Sequence, residues 1–276
     1  VKGEIIMVFH DVSKYCFDWL NSQPHVKEES LTDWLLYNVS KSNSKVFYQT
    51  FTRNEEAQNG SDWEWWILTQ SYGISRAYRL LVQAKKLHSN GDNYPLISYS
   101  NKNGMQIDLL IQEAKARNAL PLYAFYSCCH PDINEQCRNI NYISESLLKW
   151  CSNCINGCYL TSAIALHKKA FSVPRHNISE QNLVDCSFAL SILDKLWDEN
   201  RGAYDLLSGL NSHYTKSIEN VSGCVHNYKQ LPGYVKFLIE RKEEDLSWLE
   251  SEFRRDVGSL AGVVVLDTRQ DLKESR

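Results

Sequence analysis

Asp62, Glu64, Gln83 and Lys85 are the residues whose types and spacing best fit chemistry on a phosphodiester. If DWEWW is a β-strand opening at Asp62, alternation puts Asp62, Glu64 and Trp66 on one face and Trp63, Trp65 and Ile67 on the other. The same rule on VQAKK sets Gln83 and Lys85 together, away from Val82 and Ala84. Across a hairpin the acidic pair and the Gln-x-Lys pair can meet. A hard cation such as Mg²⁺ takes oxygen ligands, commonly one or two carboxylates plus substrate phosphate and water. Asp62 is the expected anchoring ligand, with the Gln83 amide oxygen and the Ala84 main-chain carbonyl beside it. Lys85 would stabilise charge developing at phosphorus or orient the attacking water.

These groups need a sheet and covering helices. EESLTDWLLYNVS, 28–40, places Leu31, Trp34, Leu35 and Val39 at helical spacing, with Glu28 in the middle of that apolar face and Glu29 at its edge. KVFYQTFTR reads as a strand, NEEAQNGS as a turn, and DWEWWILT and ISRAYRLLVQAKK as two more strands, an antiparallel meander of three. Residues 105–118 are expected to be helical and PLYAFYS a fourth strand. Beyond it, 143–151, 157–170, 182–198 and 231–254 read as helices, and AGVVVLD as a returning strand.

A helix bearing Glu28, a strand opening on Asp62, and Gln83-Ala84-Lys85 on a strand followed by a helix and a strand resemble the PD-(D/E)XK restriction-endonuclease-like superfamily. VQAKK is similar to the Gln-x-Lys variant of Mrr-like type IV restriction nucleases, and EESLTD, FTRNEEAQNGSDWEWW and GMQIDLLIQEAKARNALPLYAFYS resemble uncharacterised bacterial proteins with that core. The resemblance implies an α/β fold, a restriction-endonuclease-like mixed sheet flanked by helices, over 27–127. Residues 1–26 would be an N-terminal extension and 128–276 a mostly helical elaboration packed on the core. It further implies an endonuclease using Mg²⁺ or Mn²⁺ on DNA, most simply double-stranded, in defence against phage or foreign DNA. A homodimer or larger oligomer is expected for double cuts, and a defence-system protein is a candidate partner. Carried over by position, Asp62 is the central metal ligand, Gln83 fills the second acidic position, Lys85 is the catalytic lysine, and Glu28 or Glu29 matches the helix glutamate that assists the metal through water. Glu64 would restore the charge lost at Gln83. A non-cutting nuclease-like module that binds nucleic acid or protein, and an RNase, are the competing readings.

Three further residues are candidates for substrate contact. Trp66 shares the acidic face and could stack on a base, although such runs more often pack a sheet. Gln106 opens the helix after the polar loop and could reach the cleft or cap the helix. Lys86 could join a phosphate track, although separated charges are usually a solvated surface. Cys151-x-x-Cys154 with Cys158, near Cys128, Cys129, His130 and Cys137, could form a structural Zn²⁺ site. The spacing of Cys151, Cys154 and Cys158 equally describes a helix face of buried thiols.

Composition narrows the class. The 276 residues are 43% apolar and 23% charged, an ordinary globular balance that suits one elaborated domain. A formal charge of −3 supplies no global basic field, so any nucleic-acid contact must be local. Apolar runs such as 5–9 and 260–266 fall far below the roughly 18 residues of a membrane span. The chain opens on Val without a signal-peptide pattern, as a trimmed chain would. Nine cysteines, an odd number, fit reduced thiols and a cytoplasmic setting.

Overall fold

A computed structural model describes residues 8–51, 60–71, 74–86, 100–101, 104–127, 157–171, 187–197, 225–240, 246–258 and 260–269. Two helices come first, α1 (Val8–Ser22) and α2 (Glu28–Ser42), then strands β1 (Val46–Thr50), β2 (Trp63–Ser71) and β3 (Ile74–Lys86). A short ribbon, β4 (Ser100–Asn101) and β5 (Gly104–Met105), leads into α3 (Gln106–Ala116) and β6 (Leu120–Tyr126). There follow β7 (Cys158–Ser162), α4 (Ala163–Phe171), β8 (Ser187–Ala189) with a 3₁₀ turn over Leu190–Trp197, and β9 (Val225–Asn227) with a second over Tyr228–Gln230. Helices α5 (Gly233–Glu240) and α6 (Leu246–Val257) then precede β10 (Gly262–Asp267).

The sheet is mixed, in the order β1-β10-β2-β3-β6-β7-β8, with β9 beside the first half of β3. β2 and β3 form the expected antiparallel hairpin, from Trp63 opposite Val82 to Ser71 opposite Ile74. The three-strand meander is corrected: β10 lies between β1 and β2, antiparallel to the first and parallel to the second. The reason is burial on both faces, since Val264 and Leu266 enter one core and Val263 and Val265 the other, as a central strand requires. The sheet therefore draws its strands from both sides of residue 127. Residues 8–22 likewise act as part of the core: Val8, Phe9, Val12, Cys16 and Leu20 of α1 pack with Leu31, Leu35 and Val39 of α2 against one face. Helices α3, α4, α5 and α6 cover the other face through Ile107, Leu110, Leu166, Val235 and Phe253.

Two helix expectations are also corrected. Within 157–170, Cys158–Ser162 is a strand with every residue buried, and the helix starts at Ala163. Within 182–198 the described part is β8 and its 3₁₀ turn. Residues 143–151 lie outside the described residues.

Asp194, on that 3₁₀ turn, caps α1 from a distance: Oδ1 accepts the Phe9 N–H at 2.8 Å and Oδ2 the His10 N–H at 2.9 Å. Such first-turn donors have no partner within their own helix. Burial pushes the Asp194 carboxyl up to about 7, against the lowering effect of these N–H groups. Between the ordinary aspartate range and pH 7 the folded chain then holds a proton that the unfolded chain has lost, so this group's contribution to stability falls as pH rises. Denaturant titrations at pH 5 and pH 8 should show the wild type losing stability relative to Asp194→Asn, whose side chain does not titrate. A gap that stays constant or widens in favour of the wild type would contradict this.

A candidate metal and phosphodiester site at the end of the central strands

The site begins with the way β2 starts. Gly60 has φ +72°, and a Cβ there would lie 2.5 Å from the Gln106 carbonyl oxygen and 2.8 Å from Leu110 N on α3. Only glycine suits both the backbone and the close approach. The chain then reaches Asp62, whose N–H donates to Val82 O at 2.9 Å and whose carbonyl accepts from Ala261 N at 2.6 Å. Neighbouring strands thus fix Asp62 on both sides. Pairing of β2 with β3 stops at Trp63 opposite Val82. Ala84, two residues further along β3, consequently turns its N–H and C=O into the gap that precedes the first residue of β2.

Into that gap Asp62 places its carboxylate. Oδ2 accepts the Ala84 N–H at 3.0 Å and the Gln83 side-chain amide at 2.5 Å, and the same amide nitrogen donates to Ala84 O at 3.0 Å. Gln83 is buried, and its Oε1 has no hydrogen-bond partner among the described residues. Beside them, Glu28 at the start of α2 accepts the Lys86 N–H on Oε2 at 3.0 Å and faces Lys85 Nζ at 3.8 Å with Oε1. Burial raises the Glu28 carboxyl above its ordinary range, while Lys85 and the Lys86 N–H oppose this and Asp62 and Glu29 add to it. Asp62, Gln83, Ala84, Lys85 and Glu28 are thus brought together. A cleft of about 250 Å³ opens here, lined in part by Glu28, Glu29, Thr32, Asp33, Asp62 and Ala84. Asp33 was not singled out by sequence, yet it lies one turn beyond Glu29 on the same helix face, a spacing that could have found it.

Glu64, Trp66 and Lys86 direct their side chains to other partners. Glu64 is corrected: fully buried, it binds Arg79 Nε at 2.5 Å and accepts the Tyr234 hydroxyl at 2.7 Å, and Arg79 also reaches Asp256 at 3.1 Å. Strand phase sets Asp62 and Glu64 on one side, but two residues span about 6.6 Å of strand, and Glu64 lies over the core of α5 and α6. Trp66 is corrected likewise: it is 1% exposed, under the Arg79 guanidinium at 5.2 Å and edge-on to His226, so it packs the sheet. Lys86 turns inward, its Nζ donating to Pro24 O at 2.9 Å and Val26 O at 2.7 Å, and does not join a phosphate track. Gln106 is the first residue of α3 and Met105 its N-cap; Gln106 Oε1 is buried without a hydrogen-bond partner among the described residues.

Among the described residues no three His, Cys, Asp or Glu side chains are gathered closely enough to hold a metal by themselves. The donor set that fits an ion is mixed: one carboxylate, one main-chain carbonyl and one amide. The unpartnered Gln83 Oε1 supports that fit. With amide oxygen and nitrogen interchanged, three oxygens would converge where the amide nitrogen now bridges two. Oxygens so close repel unless a cation lies among them. Cys128, Cys129, His130, Cys137, Cys151 and Cys154 lie outside the described residues, while Cys158 and Cys16 are buried free thiols. Burial and the neighbouring Cys16 push the Cys158 thiol up.

Fold and site together define an α/β protein with a mixed sheet between helical layers and an acidic cleft where β2 begins beside the last residues of β3. The chain belongs to DUF6615, a family of unknown function, whose model matches residues 5–271. No curated protein and no solved structure matches it. None of the described helices is long and apolar enough to cross a membrane.

Proposed function

We propose that this protein is a metal-dependent nuclease with a restriction-endonuclease-like core, hydrolysing DNA phosphodiester bonds with Mg²⁺ or Mn²⁺. One observation carries the reading: the Asp62 carboxylate, the Ala84 carbonyl and the Gln83 amide converge where β2 begins, with Lys85 and Glu28 alongside. Electrostatics support it, because among the described residues Glu28, Glu29, Asp33 and Asp62 all line the cleft, and their charge would repel a bare polyanion. A divalent ion reverses that sign. When bound, it would polarise the phosphate and lower the pKa of a water. Asp62, Gln83 and Ala84 would hold it. Lys85 would stabilise negative charge developing on the phosphate oxygens, and Glu28 would restrain Lys85 and assist the ion through a water, the place the family resemblance gives it. The family resemblance extends the reading to double-stranded DNA, a 3′-hydroxyl product, assembly as a homodimer or larger oligomer, and defence against foreign DNA with a further protein partner.

A second reading has its own observation. Gln83 Nε2 bonds to the very oxygens a cation would need, as it would in a nuclease-like module that binds without cutting. Plasmid DNA and a structured RNA, each incubated with the protein in Mg²⁺, Mn²⁺ or EDTA, separate these readings. Metal-dependent loss of supercoiled plasmid is expected, with none in EDTA. DNA binding without cleavage under either metal would favour the non-cutting module, and cleavage confined to RNA would reassign the substrate.

A further inference from the structure

We propose that Lys86 is a positioning residue: by tying the link between α1 and α2 to the end of β3, it holds Glu28 in the pose that serves the Asp62 site. The inference rests on the metal-dependent reading above. Lys86 is the last residue of β3 and is buried. Its Nζ donates to the carbonyls of Pro24 and Val26, four and two residues before Glu28, at 2.9 and 2.7 Å. Its main-chain N–H donates to Glu28 Oε2 at 3.0 Å. One residue therefore grips α2 twice, at the approach to the helix and at the carboxylate itself. A buried ammonium is costly unless its donors are satisfied, and two carbonyls meet two of its three. One turn on, Thr32 Oγ1 accepts the Tyr126 hydroxyl at 2.8 Å, so the start of α2 is anchored to β6 as well. With Oε2 fixed, Glu28 presents Oε1 toward Lys85 and the cleft.

The test is a double-mutant cycle on Mn²⁺ affinity, measured with the full chain by isothermal titration or electron paramagnetic resonance. Lys86→Met should weaken Mn²⁺ binding about tenfold, the lower end for groups that orient metal-site residues. Loss of a positive charge beside acids would by itself strengthen cation binding, so weakening reports position, not charge. In a Glu28→Gln background the same change should cost less than about twofold, because the group it positions is gone. Lys86→Arg, which keeps charge and donors, should recover most of the affinity. Equal losses in both backgrounds, or no loss, would overturn the positioning role while leaving the metal reading intact. A wild-type chain that binds no Mn²⁺ would defeat the metal reading, and this inference with it. Should Lys86→Met fail to fold by circular dichroism, Lys86→Gln is read in the same cycle against the same outcomes.

Discussion

Asp62→Asn is expected to abolish metal-dependent cleavage while leaving the fold intact. Asparagine keeps an oxygen that can accept the Ala84 N–H, so the local hydrogen bonding at the start of β2 survives. What disappears is the negative charge, and with it the anchoring carboxylate of the proposed ion site, whose other oxygens, on Gln83 and Ala84, are neutral. Cleavage should fall below detection and Mn²⁺ binding should be lost, with a thermal midpoint within a few degrees of the wild type. Lys85→Ala should lower the cleavage rate roughly 100- to 1,000-fold, the cost of removing one preorganised charge-stabilising group, yet retain Mn²⁺ binding. Metal-dependent cleavage that persists in both variants would mean a contaminating nuclease. Lost cleavage with Mn²⁺ binding unchanged in Asp62→Asn would move the metal away from Asp62.

The second large effect concerns stability. Glu64→Gln should destabilise the fold by about 3–5 kcal/mol, as expected when one partner of a buried ion pair is removed. Arg79 would remain buried with only the half-exposed Asp256 as its acidic partner among the ion pairs described, and the Tyr234 hydroxyl would lose an ionised acceptor. Urea unfolding measures this directly. Per folded molecule, Mn²⁺ affinity should match the wild type, because Glu64 lies over the α5–α6 core and away from the cleft lining. A variant with unchanged stability and weakened Mn²⁺ binding would return Glu64 to the site.

Glu64 also shows where sequence stops being informative. Strand phase tells which side a residue faces, and for Asp62 and Gln83 that sufficed, because a hairpin brings strands within one hydrogen-bonded spacing. It does not tell which layer lies above each position along the strand. Asp62 precedes the first paired residue, whereas Glu64 is inside the ladder beneath Tyr234, which is 170 residues away in sequence. Arg79, diagonal to it on β3, was the local sign of an internal ion pair. Helix α2, the β2–β3 hairpin, α3 and β6 were legible because their apolar spacing is strong and local. Helix α1 carries the same signal in Val8, Val12, Cys16 and Leu20, but Cys16 and the intervening aromatics obscure it. β10 could be read as a strand from its β-branched run, yet its insertion between β1 and β2 depends on pairing across nearly 200 residues. The buried run at β7 is ambiguous in principle, since a strand buried on both faces has no alternation to read.

Diffraction from crystals of the full chain equilibrated with Mn²⁺, recorded for anomalous scattering, tests the central claim most directly. One peak should appear at the start of β2, within direct ligand distance of an Asp62 carboxylate oxygen and the Ala84 carbonyl, with Gln83 turned so that its amide oxygen faces the ion. Crystals at saturating Mn²⁺ with no peak there, and Gln83 still donating to Asp62, would contradict it.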